Sequence, residues 1–91
     1  MEGGARQQLQ VVRGRGTTRM LFSGDLDLGS GPWFGSAIDG ELDAAQDVIV
    51  DLSAARIADC TPIGILIRAR DRAAAAGRRL EVLSPPPLFA G

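Results

Sequence analysis

The sequence predicts an α/β domain: a mixed four-stranded sheet, elements in the order β-β-α-β-α-β, and both helices packed on one face. Residues 47–52 read Asp-Val-Ile-Val-Asp-Leu, a β-branched run bounded by acids, as a central strand covered on both faces would. Two stretches with apolar residues at spacings of three and four flank that run, which is the period of a helix with one buried face. Two short apolar segments joined by a glycine-rich connection come before them, the pattern of an antiparallel hairpin.

The elements follow in order. Residues 1–8 carry two glycines and no pattern and are expected to be disordered; the domain is expected over 9–87, with 88–91 a tail. Leu9 to Arg13 is the first strand, Gly14 to Thr18 the connection, and Arg19 to Gly24 the second strand. Asp25 to Pro32 is read as an irregular loop, because its glycines and proline oppose regular structure. Ser30 to Pro32 starts a helix that runs to about Ala44. On it Trp33, Phe34, Ala37, Ile38, Glu41 and Leu42 form the inward stripe, with Trp33 and Phe34 as core anchors, while Gly35 and Gly40 weaken it.

After the central strand, Ser53 to Cys60 is read as a loop. The second helix begins near Thr61, with Thr61 as N-cap and Pro62 as its first helical residue. Ile63, Leu66, Ile67, Arg70, Ala73 and Ala74 keep helical spacing as far as Ala76, and Gly77 suits the position just past the end. Arg79 to Ser84 alternates charged and apolar residues as a last strand, and Pro85-Pro86-Pro87 stops it.

Composition narrows the function. The chain has 91 residues, room for one small domain. Ten basic residues stand against eleven acids, a net charge of -1, so no global field draws nucleic acid or an anionic membrane. All ten are arginine; lysine, histidine and tyrosine are absent. Without histidine there is no imidazole base, no Ser-His or Cys-His pair and no His-ligated metal. Without lysine there is no Schiff base and no phosphate-loop lysine. The single cysteine, Cys60, cannot form an internal disulfide, which suits a reducing compartment, and no apolar run is long enough to span a membrane; a cytoplasmic location is expected.

Three sharper readings of the residues compete with the plain structural one. Asp25-Leu26-Asp27 after a strand has the form of a phosphotransferase DxD, but the lysine such a site uses against the phosphate is missing. The same stretch fails the calcium-loop pattern, with glycine at its fifth place and serine at its sixth. It is therefore read as a solvated acidic loop. Arg68, Arg70, Arg72, Arg78 and Arg79 form a local basic cluster, yet Asp71 interrupts it and no aromatic residue interleaves it, so a solvated helix flank is expected rather than a nucleic-acid contact. No enzyme activity, metal or cofactor is expected.

Gly24-Asp25-Leu26-Asp27, Val50-Asp51-Leu52-Ser53, Asp59-Cys60-Thr61-Pro62-Ile63-Gly64 and the passage from Ala75 to Val82, in that order, resemble segments of the STAS domains of bacterial anti-sigma factor antagonists and sulfate transporters. Gly24-Asp25-Leu26-Asp27 is similar to that family's Gly-Glu-Leu-Asp, and Val50-Asp51-Leu52-Ser53 to its Leu-Asp-Leu-Ser. Asp59-Cys60-Thr61-Pro62-Ile63-Gly64 stands where the family has Asp-Ser-Ser-Gly-Leu-Gly. The passage from Ala75 through Gly77 to Val82 resembles its helix-to-strand step, and Ser84-Pro85 its Asn/Ser-Pro. The resemblance covers about residues 9 to 87.

The resemblance implies a non-enzymatic interaction module that binds an anti-sigma factor or a serine kinase of the anti-sigma type and so regulates transcription. The implied partner-binding residues are Asp25, Asp27, Asp59, Cys60, Thr61 and Pro62. Cys60 occupies the position of the family's phosphorylated serine; Thr61 beside it carries a hydroxyl that could substitute, but as an N-cap its oxygen would be occupied with backbone N–H groups. A homodimer is compatible with this reading; nucleic acid and membrane insertion are not expected.

The chain departs from the family at three places. A thiol replaces the serine, proline replaces glycine at residue 62, and only Leu88-Phe89-Ala90-Gly91 remain where the family continues into another helix. From its neighbours Cys60 is read as a buried or half-buried inert thiol, because the Asp59 carboxylate repels negative charge there. Asp59 itself is read equally as a loop cap or a partner contact. The alternative is a STAS module of a lipid or sulfate transporter, or of a multi-domain sensor, binding a neighbouring subunit or small ligand.

Overall fold

The computed structural model describes residues 7–44 and 46–83. Six elements appear in the expected order: β1 (Gln7–Arg13), β2 (Thr17–Leu26), α1 (Gly31–Asp43), β3 (Asp47–Ile57), α2 (Thr61–Ala75) and β4 (Leu80–Leu83). Of the segment 1–8 expected to be disordered, Gln7 and Gln8 belong to β1; residues 1–6, the proline run and the tail lie outside the described residues. No helix of the described residues is long and apolar enough to cross a membrane.

The strands form one mixed sheet in the order β1-β2-β3-β4. β1 and β2 make the antiparallel hairpin, closed by the Gly14 N–H donating to the Thr17 carbonyl at 2.7 Å, with Gly16 at φ 76°, where glycine adds no steric cost. β3 lies parallel to both β2 and β4, so the β-branched run is interior to the sheet as expected, but the helices cover only one of its faces and not both. Alternation places Thr18, Met20 and Phe22 of β2 and Val48, Val50 and Leu52 of β3 under the helices. Phe34, Ile38 and Leu42 of α1 and Leu66, Ala69 and Ala73 of α2 close the core from above.

Several boundaries differ from the sequence reading. β2 continues through Leu26, which is fully buried, so Asp25 and Leu26 are strand residues rather than a solvated loop. β3 continues through Ile57, so most of the expected loop 53–60 is strand, paired from Ser23↔Ala54 to Leu26↔Ile57. The pairing outweighs the weak β propensity of Ser53-Ala54-Ala55-Arg56. The two strands slip by one residue between Leu21 and Ser23, where β3 carries an extra residue. Trp33 meets Phe22 edge to face at 5.5 Å but stays 38% exposed, and Ile67 is 53% exposed; both lie on the rim and not in the core. The inward alanine missing from the expected stripe is Ala69.

The glycines of α1 have a packing role. A Cβ on Gly31 would stand 3.1 Å from Thr61 Cγ2 and 3.2 Å from Ile65 Cδ1, and one on Gly35 would stand 3.4 Å from Ile65 Cγ2. The helices therefore approach through hydrogen-faced backbone, at the expense of helix propensity. At the far end of the same contact Arg72, exposed like Arg68 and Arg70 on the solvated flank expected, pairs across the helices with Asp39 at 2.7 Å and with Asp43.

Candidate functional site

The two segments expected to carry function meet at one end of the sheet, where the β2–α1 loop faces the start of α2. The loop is built by a reciprocal pair. The Asp27 N–H donates to Ser30 Oγ at 2.9 Å, and the Ser30 N–H donates to Asp27 Oδ1 at 3.0 Å. This arrangement satisfies amides at the head of α1 without a side-chain bond into the helix itself. Asp25 is exposed one residue before the strand ends, and its carbonyl accepts the Gln7 side-chain amide at 2.9 Å.

Asp59 joins the two segments. Its Oδ2 accepts the Leu28 N–H at 2.9 Å and its Oδ1 accepts the Thr61 N–H at 2.8 Å. Hydrogen bonds from Thr61 first, and also from the Leu28 backbone, hold this carboxyl below its ordinary range. The Ala58 N–H adds a backbone bond to the Leu26 carbonyl at 2.9 Å, so the seam is fixed on both sides of the acid.

The head of α2 corrects three expectations. Cys60, not Thr61, is the N-cap residue; it makes no side-chain cap bond, and its thiol is exposed rather than buried. Thr61 is the first helical residue, half-buried, with its methyl turned toward Gly31 of α1. Its backbone N–H is satisfied by Asp59, which takes the capping task. Pro62 is fully buried, so it supports the helix start from inside and offers no surface to a partner.

Two grooves adjoin this end. One, of about 600 Å³, runs between α1 and α2 and is lined by Leu28, Pro32, Thr61, Ile65 and Arg68 among others. The second, of about 230 Å³, is almost wholly apolar and lies between α2 and the edge strand β4, with Ile57, Ile63, Leu66, Ile67, Leu80 and Val82 on its walls. Leu28, 72% exposed in the β2–α1 loop, is the site residue that sequence reasoning missed. Its signal was an apolar residue between Asp27 and Gly29, where a purely solvated loop would carry a polar one.

No protein-family model matches the chain, and no curated protein matches it. Solved structures match its fold well. An anti-sigma factor antagonist STAS domain from Rhodobacter sphaeroides superposes with a TM-score of 0.72 at 22% identity, covering 86% of each chain. The Bacillus cell fate determinant SpoIIAA in its phosphorylated form matches at 0.73 and 19% identity, over 88% of this chain and 75% of its own. The structure of Mglu matches at 0.73 and 21% identity over 88% of this chain, but over only 20% of its own length. At these identities the likeness is one of architecture: the chain has the STAS fold, the fold of anti-sigma factor antagonists.

Proposed function

We propose that this chain is a non-enzymatic interaction module, an anti-sigma factor antagonist that binds an anti-sigma factor of the switch-kinase type and so controls sigma-factor-dependent transcription in the bacterial cytoplasm. One observation carries the reading. Cys60, to which the sequence resemblance assigns the family's phosphoserine position, is exposed at the head of α2 beside the β2–α1 loop, on a fold shared with SpoIIAA in its unphosphorylated and phosphorylated forms. Asp25, Asp27, Cys60 and Thr61 belong to the docking surface, and Asp59 and Pro62 shape it. A thiol is not a substrate for a serine kinase, so this antagonist works without the phosphate that would release its partner.

The test is calorimetry of the purified domain against a purified anti-sigma switch kinase, repeated with Cys60→Asp. Binding by the native chain that is lost in the variant supports the reading, because the carboxylate imitates the charge of a phosphorylated acceptor. Equal binding by both, or none by either, overturns it. A second reading is a module within a transporter or sensor assembly; Mglu supports only its modular part, since there the same fold covers a fifth of a longer chain. Capture of transporter or sensor subunits in place of a kinase would favour it.

A further inference from the structure

We propose that Leu28 is the apolar anchor of the docking surface and that Asp59 is the positioning residue that holds it in place, a step that rests on the antagonist reading. Leu28 is the most exposed large apolar side chain among the described residues, at 72%. A single exposed leucine is ordinary on a protein surface. This one differs because its backbone is fixed at both ends: the N–H donates to Asp59 Oδ2 at 2.9 Å, and the carbonyl accepts the Gly31 N–H at 3.3 Å. The reciprocal Asp27–Ser30 pair brackets it on either side.

An apolar side chain on an ordered loop has lost most of the backbone freedom that binding would otherwise remove, so a partner gains its burial at low entropic cost. Leu28 also lines the groove between α1 and α2 with Pro32, Ile65 and Arg68, and with Asp39 and Arg72, which pair with each other. A partner segment that covers Leu28 therefore meets apolar side chains and the Arg68 guanidinium. It should present an apolar face and a carboxylate.

Asp59 does more than cap a helix. Capping α2 needs only the bond to Thr61, whereas the second oxygen reaches into a different segment of the chain, 31 residues away in sequence, and takes the Leu28 amide. Asparagine at this position would keep one acceptor oxygen and turn an N–H₂ group toward the other amide, so it can serve only one of the two segments.

Amide hydrogen exchange by NMR tests the positioning on the protein alone, and calorimetry with a purified anti-sigma switch kinase tests the anchor. In Asp59→Ala the Leu28 amide should exchange about tenfold faster while Val50 in the core is unchanged, and kinase affinity should fall about tenfold in both Asp59→Ala and Leu28→Ser, each equivalent to about 1.4 kcal/mol. In Asp59→Asn, whichever of the Leu28 and Thr61 amides loses its acceptor should exchange faster than the other. A Leu28 amide that keeps its native exchange rate in Asp59→Ala overturns the positioning role. Native affinity in Leu28→Ser overturns the anchor role. If the native chain binds no kinase, the antagonist reading fails and the anchor role falls with it, while exchange at Leu28 still decides whether Asp59 holds the loop.

Discussion

Arg13 and Glu41 meet at the end of the sheet opposite the docking loops, the guanidinium engaging both carboxylate oxygens through Nε at 3.0 Å and Nη2 at 2.7 Å. The Thr18 hydroxyl donates to the same carboxylate at 3.0 Å from the buried side. Glu41 is thus a buried acid in an otherwise apolar helix stripe, and its bond to Arg13 is the largest of the effects that hold its carboxyl below the ordinary range. Arg13 remains largely in solvent, so the pair acts mainly to satisfy Glu41 rather than as a strong ionic bond. Glu41→Ala should destabilise the fold by about 1–3 kcal/mol, read as a lower urea midpoint, because it empties a packed position and leaves the buried Thr18 hydroxyl only its 3.3 Å bond to Gln46 Oε1. Arg13→Ala should cost less than Glu41→Ala.

Acid should loosen the open face of the sheet. Arg19 Nη2 lies 2.6 Å from Asp51 Oδ2, and the Ser53 N–H donates to Asp51 Oδ1 at 2.9 Å. These contacts, Arg19 first, bring the Asp51 carboxyl down to about 2 from 3.8. A folded-state value below the unfolded one means the unfolded chain binds the proton more readily. The stabilisation is therefore complete above about pH 4 and is lost as pH falls toward 2. Urea midpoints measured between pH 5 and pH 2 should fall more steeply in the native chain than in Asp51→Asn.

Two glycines in the same helix should respond in opposite senses to alanine. Gly31→Ala would drive its methyl against Thr61 and Ile65 and should destabilise by about 1–3 kcal/mol. Gly40 has nothing within 4 Å of an added Cβ, so Gly40→Ala should stabilise by about 0.5–1 kcal/mol. Thermal unfolding of the two variants side by side checks both signs.

The exposed Cys60 thiol should react fully with a disulfide reagent in the native state, without unfolding. A reaction that waits for denaturant would contradict its placement. The same labelling reports on docking, since a bound partner should slow it.

Periodicity made the sheet core and both helices legible. Val48, Val50, Phe34, Ile38, Leu66 and Ala73 all lie inward at the spacings the sequence shows. The resemblance in residues 24–27 and 59–64 picked out two segments that do meet in space. Side-chain reach was not legible: Asp59 spans to Leu28, Glu41 to Arg13 and Arg72 to Asp39, all long-range partners that no local spacing encodes. Exposure at the helix head was misread because the charge of Asp59 argues against a reactive thiolate at Cys60, which says nothing about burial. In the fold the proline goes inward and the thiol stays out.

The slip between β2 and β3 changes the phase of the whole second half of β3. Up to Leu52 the even-numbered residues face the helices; beyond the extra residue the odd ones do, so that Ala55 and Ile57 pack on the core while Ala54 and Arg56 turn away. Like a frameshift, the insertion leaves each residue's chemistry intact and changes only which side reads it. Pairing the two strands without the slip, the sequence unchanged, would set Arg56 opposite Leu26 and point it into the apolar layer, whereas deleting one residue at 53 or 54 would remove the slip and leave Ala55 and Ile57 inward. The extra residue thereby keeps a charge out of the layer beneath the loop that carries Leu28.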